Sequence, residues 1–223
     1  VVVWGLVGLT IVVVVLNRSR AGFLAFLGAL GLMALWLRRW VPVALAAATT
    51  ALEVATLPPA VKAWAASMPS LLDQLTQPDR PIIWQSAFEM VKAHPFLGVG
   101  VNTFVPAYPA HAVPGDPFGA TGTGPYAHNQ YLQLAAELGV FGLVVLLILI
   151  ALVFRSVGRC RAARKAQPLT AWMAAGLGAG LAGYLFIGLF ESSIFYARAG
   201  GIFWLLVGWI IAAERLSARP APA

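Results

Sequence analysis

The sequence predicts an all-α, polytopic membrane protein: a transmembrane helical bundle of about six spans with a large, helical extracytoplasmic loop. Of the 223 residues, 60% are hydrophobic and only 10% are charged, whereas soluble domains are about half apolar and about a quarter charged. The apolar residues fall into six runs, most of them near the roughly 20 residues that a helix needs to cross a bilayer. A long stretch without any comparable run separates the third run from the fourth.

The six candidate spans divide the chain into three parts. The spans are Val1–Leu16, Ala21–Leu37, Val41–Leu57, Leu138–Phe154, Thr170–Phe190 and Gly200–Ala213. Residues 1–57 therefore hold three spans, residues 58–137 form the loop, and residues 138–223 hold three spans with a basic loop and tail. Because apolar sequence starts at Val1 without a basic segment or a cleavage site, we expect a fragment that lacks an N-terminal part.

Basic residues predict which side of the membrane each connection faces. They follow the second, fourth and sixth runs: Arg38, Arg39, Arg155, Arg159, Arg161, Arg164, Lys165, Arg215 and Arg219. Lys and Arg accumulate on the cytoplasmic side, so residues 58–137 are predicted to be extracytoplasmic. Topology thereby explains much of the net charge of +7, and we predict no nucleic-acid partner. Binding of anionic lipid by the basic loop is a second interpretation.

The long loop has the composition of a folded segment, since it holds nine aromatic residues and few charges. We expect a cap that is partly embedded in the membrane. Its first helix is predicted over residues 81–93, where Asp79 can cap and Pro81 suits the first turn. The helical spacing predicts one apolar face made of Trp84, Ala87, Phe88 and Val91.

Arg80 stands at the start of this helix, where a cation is unfavourable. It either pairs with Asp79 at the surface or has another partner. The following GVGVNTF segment, residues 98–104, lacks the strand and spacing of a dinucleotide-binding loop, so its glycines are assigned to a turn. Residues 106–125 are rich in Pro, Gly and Thr and predict an irregular flap.

A second loop helix is predicted over residues 125–138, with a cap at residue 123 or 124 and Gly139 as a stop or hinge. This places His128 and Asn129 in the first turn, where unpaired backbone N–H groups and the helix dipole attract anions. The same environment disfavours an imidazolium, so His128 is expected to be neutral and able to accept a proton. The alternative is an interfacial histidine that is hydrogen-bonded to a neighbour.

These residues resemble the core signature of the O-antigen ligase and polymerase superfamily of bacterial envelope proteins. The similarity lies in RPIIW at 80–84, HPFLGVG at 94–100 and HNQYLQLAAELG at 128–139, with SRAG at 19–22 as a further feature. It covers roughly residues 10–213 and is densest at 80–142. Members of the superfamily usually carry several more spans upstream.

The resemblance implies a membrane fold like that of C-type glycosyltransferases. It implies transfer of a glycan from undecaprenyl pyrophosphate at the periplasmic face of the bacterial inner membrane, without a nucleotide sugar. The acceptor is a lipid A-core sugar in the ligase branch and another lipid-linked glycan in the polymerase branch. A further branch glycosylates protein hydroxyls, and the sequence does not determine which acceptor applies.

An arginine and a histidine of the large loop are the superfamily's main functional residues, and Arg80 and His128 occupy those positions. His128 is predicted to act as the base and Arg80 to hold the leaving pyrophosphate. Substrate-binding roles are predicted for Arg20, Arg198, Asn129, Trp84 and Tyr131. The three histidines lack the spacing of a ligand set, so we predict an inverting transfer with no metal and no cofactor.

Two non-enzymatic functions are alternatives to the transferase: a small-solute transporter and a structural membrane protein. Transport predicts charged residues and broken helices at mid-span, and only Glu53 stands out there, while residues 174–184 predict a small-residue packing face. The polar residues concentrate in the loop instead, which favours an enzyme. A simple ion pair is predicted between Glu191 and Arg198, and Glu137 is predicted to cap or pair near the membrane surface.

Overall fold

The computed structural model describes residues 20–38, 79–119, 125–195 and 197–218, with single positions at 40, 44, 48, 55, 59 and 63. Every regular element in these ranges is helical. The helices are α1 (Arg20–Leu37), α2 (Asp79–Ala93), α3 (Phe104–Ala107), α4 (Gln130–Ala162), α5 (Pro168–Ile187) and α6 (Ala197–Ser217). Short 3-10 helices cover Tyr108–His111, Ala163–Lys165 and Ser193–Phe195. The all-α prediction is thus confirmed for the described part of the chain.

Three described segments are long and apolar enough to cross a membrane: Gln130–Lys165, Pro168–Ile187 and Gly200–Ser217. They correspond to the fourth, fifth and sixth predicted spans. Helix α1 matches the second predicted span, and its apolar helical part is the shorter stretch Ala25–Trp36. The predicted spans Val1–Leu16 and Val41–Leu57 lie outside the described residues, apart from single positions. The total of six spans and the C-type glycosyltransferase fold stay predictions.

Helix α5 packs against α1, α4 and α6. Its small residues permit this, because Ala174, Ala175, Gly178 and Ala179 are buried and a Cβ on Gly178 would press against Val157 and Trp36. The predicted packing face is therefore confirmed. The core of the bundle consists of Leu134, Leu146, Val153, Val157, Leu181, Phe203, Val207 and Ile210.

The outward faces of α4 and α6 are apolar and exposed. Large side chains on these faces include Val145, Leu147, Ile148, Leu152, Ile202, Trp204, Leu205 and Trp209. A soluble monomer rarely exposes so large a continuous apolar surface, whereas lipid acyl chains solvate it without cost. The exposed side chains therefore agree with the membrane spans.

Gly139 bends α4 and separates its outer turns from its membrane-spanning part. Its backbone has φ 66° and ψ −169°, a region that is essentially reserved for glycine. A straight helix would pair the N–H of Val140 with the carbonyl of Ala136. At the bend, the N–H of Val140 donates to the carbonyl of Pro95 at 2.8 Å. The prediction of a stop or hinge is confirmed as a kink.

Loop residues 95–100 fill this bend. The N–H of Val99 donates to the carbonyl of Ala136 at 2.9 Å, and the N–H of Gly100 donates to the carbonyl of Glu137 at 3.0 Å. Gly98 and Gly100 have φ of 68° and 117°, and a Cβ on Gly98 would overlap the backbone of Glu137. The predicted turn role of these glycines is confirmed, and Gly98 also permits the close approach of two backbones.

A second, smaller core lies in the predicted extracytoplasmic loop, residues 58–137, which is called the outer loop below. This core joins α2, α3 and the turns of α4 that precede Gly139. Its buried residues are Ile83, Ala87, Met90, Phe104, Tyr108, Ala127 and Ala136. The expectation of a folded loop is thus confirmed for its described residues. Whether part of it is embedded in the membrane stays a prediction.

Helix α2 begins earlier than predicted, at Asp79, and buries a face that differs in part from the predicted one. Of the predicted apolar face, Ala87 is fully buried but Phe88 is 56% exposed. The buried residues of α2 are Arg80, Ile83, Ser86, Ala87 and Met90. The predicted face is confirmed for Trp84, Ala87 and Val91, which lie in or pack against this core, and it is wrong for Phe88. The buried face also includes two polar residues, Arg80 and Ser86, which the hydrophobic spacing did not predict.

Helix α4 begins at Gln130 rather than near Pro125. Asn129 is its N-cap, since Oδ1 accepts from the backbone N–H of Tyr131 at 3.1 Å and of Leu132 at 3.0 Å. Asparagine is among the best capping residues, and its cap geometry fixes the start of the helix. The placement of His128 and Asn129 inside the first turn is therefore wrong, and both residues precede the helix.

The segment predicted as an irregular flap contains helical turns, because α3 is followed by the 3-10 helix Tyr108–His111. Buried Asp116 holds it down by accepting from Ser86 Oγ and from Tyr108 Oη, both at 2.6 Å. Burial alone would raise the pKa of Asp116, but the hydrogen bonds from Ser86 and Tyr108 outweigh it and hold the pKa below its usual value. The flap prediction is wrong for residues 106–111.

Basic residues meet at one end of the bundle. Arg38, which follows α1, lines a cavity together with Arg161 at the end of α4 and Arg164 in the 3-10 helix that follows α4. Close to them, Arg159 Nη1 lies 2.7 Å from Glu214 Oε1 on α6. The prediction that these groups share one side is confirmed for the described residues. That this side is cytoplasmic stays a prediction.

Candidate functional site

Arg80 is buried in the first turn of α2. The residue is only 6% exposed, and its Nε and Nη1 atoms have no hydrogen-bond partner among the described residues. Burial lowers the pKa of Arg80, and the nearby Glu191 carboxylate acts against this shift. The interpretation of Arg80 as a surface residue is wrong. A buried guanidinium with free N–H groups is costly unless an anion supplies acceptors.

His128 directly precedes the N-cap of α4 in a left-handed backbone conformation, with φ 48°. Such a φ is uncommon for residues other than glycine and is concentrated at functional sites. Its Nδ1 lies 3.5 Å from Glu191 Oε2, and its side chain is 38% exposed. The ring is therefore accessible, and an Nδ1–H that faces a carboxylate leaves Nε2 as the acceptor nitrogen.

Trp84 connects α2 to the segment that carries His128. Its Nε1 donates to the carbonyl of Ala127 at 2.9 Å. Arg80 lies one turn before Trp84 on α2, about 6 Å along the axis, and His128 follows Ala127 in the chain. This contact and the shared neighbour Glu191 bring the two predicted catalytic residues into one region at the outer end of the bundle.

Glu191 is a further candidate for this site, and the sequence predicted for it only an ion pair with Arg198. Its carboxylate lies beside the His128 ring and within electrostatic range of Arg80. The sequence offered only a glutamate in a short connection between two spans, because the residues it meets are distant in the chain. The structure does not describe the side chains of Arg198 and Arg20. The ion pair between Glu191 and Arg198 and the substrate-binding roles of Arg20 and Arg198 therefore stay predictions.

Within the described ranges, the buried polar atoms of Gln130, Tyr184, Ser192 and Ser193 have no partner of good hydrogen-bond geometry, although Tyr184 lies close to Ser193 and Tyr131 lies close to Gln130. The start of α4 adjoins the end of α5 here, since the N–H of Gln130 donates to the carbonyl of Gly188 at 2.8 Å. Native proteins rarely leave several buried polar groups unsatisfied in one region. Hydroxyl-rich or phosphorylated ligands would supply such groups with partners.

Three of the predicted substrate-binding residues make structural contacts. Asn129 caps α4, and Trp84 binds the carbonyl of Ala127. Tyr131 Oη donates to the carbonyl of Leu185 at 2.8 Å, which links α4 to α5. These contacts position the site, and direct contact of the three side chains with substrate stays a prediction.

Glu137 supports the loop behind the site and is only 1% exposed. Its Oε2 accepts from the N–H of Asn102 at 2.7 Å, while Oε1 accepts from the N–H of Phe104 at 3.3 Å and from Gln133 Nε2 at 3.2 Å. The carboxylate thus pairs backbone donors at the start of α3. The prediction of a capping role is confirmed.

The other two histidines lie side by side, with the ring centroids of His94 and His111 5.6 Å apart. Across the ranges that the structure describes, no three His, Cys, Asp or Glu side chains form a group that could hold a metal ion. Metal independence of the reaction stays a prediction.

A family model described as O-antigen ligase matches residues 5–147 of the chain. The matched region contains α1, α2, α3 and the outer half of α4, and with them Arg80 and His128. It ends before Glu191. A comparison with curated proteins finds no match. The resemblance inferred from the sequence motifs is confirmed.

Proposed function

We propose that this chain, which belongs to the O-antigen ligase family, transfers a glycan from undecaprenyl pyrophosphate to a hydroxyl of a lipid A-core sugar. Family membership and the apolar helices make it an integral membrane protein of the O-antigen ligase or polymerase type. The observation that carries the proposal is that buried Arg80 and accessible His128 share the neighbour Glu191. The proposed location of this site is the periplasmic face of the bacterial inner membrane.

In the proposed reaction, the acceptor hydroxyl attacks the anomeric carbon of the donor. A new C–O bond forms as the bond to the pyrophosphate oxygen breaks, and the electron pair leaves with undecaprenyl pyrophosphate. His128 Nε2 takes the hydroxyl proton, and the Arg80 guanidinium stabilises the charge that develops on the pyrophosphate. This single displacement inverts the anomeric centre and uses no metal.

Glu191 acts in this scheme as a positioning residue. Accepting from the Nδ1–H of His128 would fix the ring orientation and the tautomer that leaves Nε2 unprotonated. The Nδ1–Oε2 distance of 3.5 Å is longer than a hydrogen bond, and catalytic hydrogen bonds often tighten only when substrate is bound. The same carboxylate balances the buried charge of Arg80.

Polymerisation of lipid-linked glycans and glycosylation of protein hydroxyls would use the same donor chemistry and differ only in the acceptor. A small-solute transporter is the non-enzymatic alternative. Transport sites use unwound helices whose free backbone groups bind the solute. At the bend of α4, the carbonyls of Ala136 and Glu137 are instead occupied by Val99 and Gly100, which favours the enzyme.

The direct test uses the purified full-length protein with an undecaprenyl-pyrophosphate glycan and measures transfer and donor binding separately. His128→Ala should lower turnover by about 10²- to 10⁴-fold while donor binding survives. The matched control is His94→Ala, because this exposed histidine lies in the same loop. Turnover by His128→Ala at the rate of the control would reject the base assignment.

Arg80→Lys tests the second catalytic residue, because it keeps the charge but loses the planar fork that binds phosphate oxygens in pairs. Strongly impaired transfer is expected, whereas full activity would mean that Arg80 has no catalytic role.

Glu191→Gln should lower kcat by roughly 10- to 100-fold, the range for an outer-shell hydrogen-bond partner, with little change in the KM for donor. The exposed acid on α2, Glu89, provides the matched control Glu89→Gln.

Deletion of the gene in its host tests donor and acceptor together. The proposal predicts that undecaprenyl-linked glycan accumulates and that glycan-capped lipopolysaccharide disappears. Loss of long polymer or of glycosylated protein would instead assign one of the other acceptors. Unchanged levels of lipid-linked glycan would reject the transferase.

A further inference from the structure

A cavity of about 290 Å³ opens at the basic end of the bundle and has no part in the proposed transfer site. Its lining residues are Trp36, Arg38, Arg161, Arg164, Pro168, Ala171 and Trp172. Helix α5 starts at this cavity and ends beside the start of α4, so about 30 Å of helix separates it from the transfer site. Of the described residues, three arginines and no acidic residue line it. Like charges gathered in this way repel one another unless an anion lies among them.

Arg161 is held in a fixed position at this cavity. Its Cζ lies 4.9 Å from the centroid of the Trp36 ring, and its Nη2 donates to the carbonyl of Trp36 at 3.2 Å. Stacking on tryptophan favours the charged, planar guanidinium. Its Nε is buried and has no hydrogen-bond partner among the described residues. A donor thus stays available for an acceptor such as a phosphate oxygen.

The first turn of α5 adds a second source of positive potential. Pro168 and Ala171 line the cavity, and the N-cap residue Gln167 makes no side-chain capping hydrogen bond. The first-turn N–H groups of a 20-residue helix carry the positive end of its dipole, which attracts phosphate. The neighbouring Leu169 and Trp172 are 72% and 41% exposed. Such a pairing of apolar and aromatic side chains is typical of the membrane–water boundary.

We propose that this cavity binds the phosphate of an anionic phospholipid headgroup. Arg38, Arg161 and Arg164 neutralise the phosphate, and the exposed apolar residues at the start of α5 meet the acyl chains. Because the arginines lie at or just after the ends of α1 and α4, a bound lipid would tie these ends to the start of α5. The site is independent of the transfer chemistry and concerns the stability of the bundle.

The test uses the purified full-length protein in a nonionic detergent. Phosphatidylglycerol, phosphatidylcholine and inorganic phosphate are titrated separately, and lipid adducts are counted by native mass spectrometry alongside the melting temperature. Phosphatidylglycerol should bind and raise the melting temperature, whereas phosphatidylcholine should not. Equal effects of the two lipids would overturn the proposal. Saturation by inorganic phosphate, with no further effect of phosphatidylglycerol, would overturn the lipid assignment and leave a free-phosphate site.

Variants locate the binding within the protein. Arg164→Gln should weaken phosphatidylglycerol binding about fivefold. The adjacent Lys165→Gln makes the same charge change outside the cavity lining and should have no such effect. Arg161→Lys keeps the positive charge at this position but loses the planar fork, so it should also weaken binding; a melting temperature without lipid equal to that of the parent protein separates this effect from misfolding. Equal weakening of phosphatidylglycerol binding by Lys165→Gln and Arg164→Gln would mean that the basic connection between α4 and α5 acts only through its overall charge. That result would overturn the proposed binding site.

Discussion

Replacing Gly139 with alanine is the sharpest test of how the loop is joined to the membrane-spanning helix. The substitution adds one methyl group at the bend of α4, where φ is 66° and ψ is −169°. The new Cβ would overlap the carbonyl of Phe96 and the N–H of Leu97. These are backbone atoms that cannot rotate away, so either the bend or the loop segment 95–100 has to move.

The size of the effect follows from two costs. An L-residue in this glycine-only region costs about 1–3 kcal/mol. Displacement of residues 95–100 also weakens the three backbone hydrogen bonds that join this segment to the bend, at about 1 kcal/mol each. The sum is about 4–6 kcal/mol, which is comparable to the whole stability of many domains. If the substitution also displaced the side chains of the proposed transfer site by about 1 Å, this displacement by itself would lower turnover roughly a hundredfold.

Gly158→Ala provides the matched control, because Gly158 lies on the same helix and a Cβ there meets nothing within 4 Å. Thermal unfolding in detergent and glycan transfer should be measured for both variants. Gly139→Ala should melt well below the parent protein and lose transfer, while Gly158→Ala should match the parent or exceed it slightly. Identical melting and activity of the two variants would refute the account of the bend.

Three further predictions concern the outer loop. The pKa of Asp116 is held below its usual value, so Asp116 contributes stability above about pH 4 that is lost as the pH falls through the lower, folded-state pKa. Protease resistance of the loop should show this acid dependence, and it should be absent from Asp116→Asn. Tyr131→Phe removes the hydrogen bond to Leu185 and should cost about 1 kcal/mol in a melting experiment; a parallel rise in the KM for donor would establish that Tyr131 also contacts substrate. Glu137→Gln should cost about 1–3 kcal/mol, because an amide nitrogen cannot accept from the backbone donors at α3, and an unchanged melting temperature would contradict the capping role.

Features that depend on local sequence could be predicted well. The last three spans were visible because apolar length alone identifies a membrane helix. The described segments match the fifth and sixth predicted spans to within about a turn, and the fourth extends beyond its predicted bounds at both ends. Gly98, Gly100 and Gly139 were recognised as turn or hinge positions because glycine tolerates positive φ. Arg80 could be suspected of having a special environment because a cation at a helix start is unfavourable.

Features that depend on distant contacts could not be predicted. Nothing near Glu191 in the sequence indicates that its carboxylate lies beside His128 and Arg80, because that contact forms only when the α5–α6 connection meets the outer loop. The exposure of Phe88 and the burial of Ser86 on α2 were not predicted for the same reason. Burial of Ser86 follows from its partner Asp116 on another segment, and hydrophobic periodicity contains no information on that pairing.

The junction between residues 95–100 and the bend of α4 limits how the protein can admit a bulky lipid. Lifting residues 95–100 would remove the hydrogen-bond donors from the buried carbonyls of Ala136 and Glu137, and each buried polar group left unpaired costs about 1–3 kcal/mol. Residues 95–100 and the bend of α4 are therefore expected to move together as one rigid unit. Any opening that admits the proposed polyprenyl-linked donor therefore has to form in the chain on either side of this junction, and a crosslink across the junction is expected to leave turnover intact.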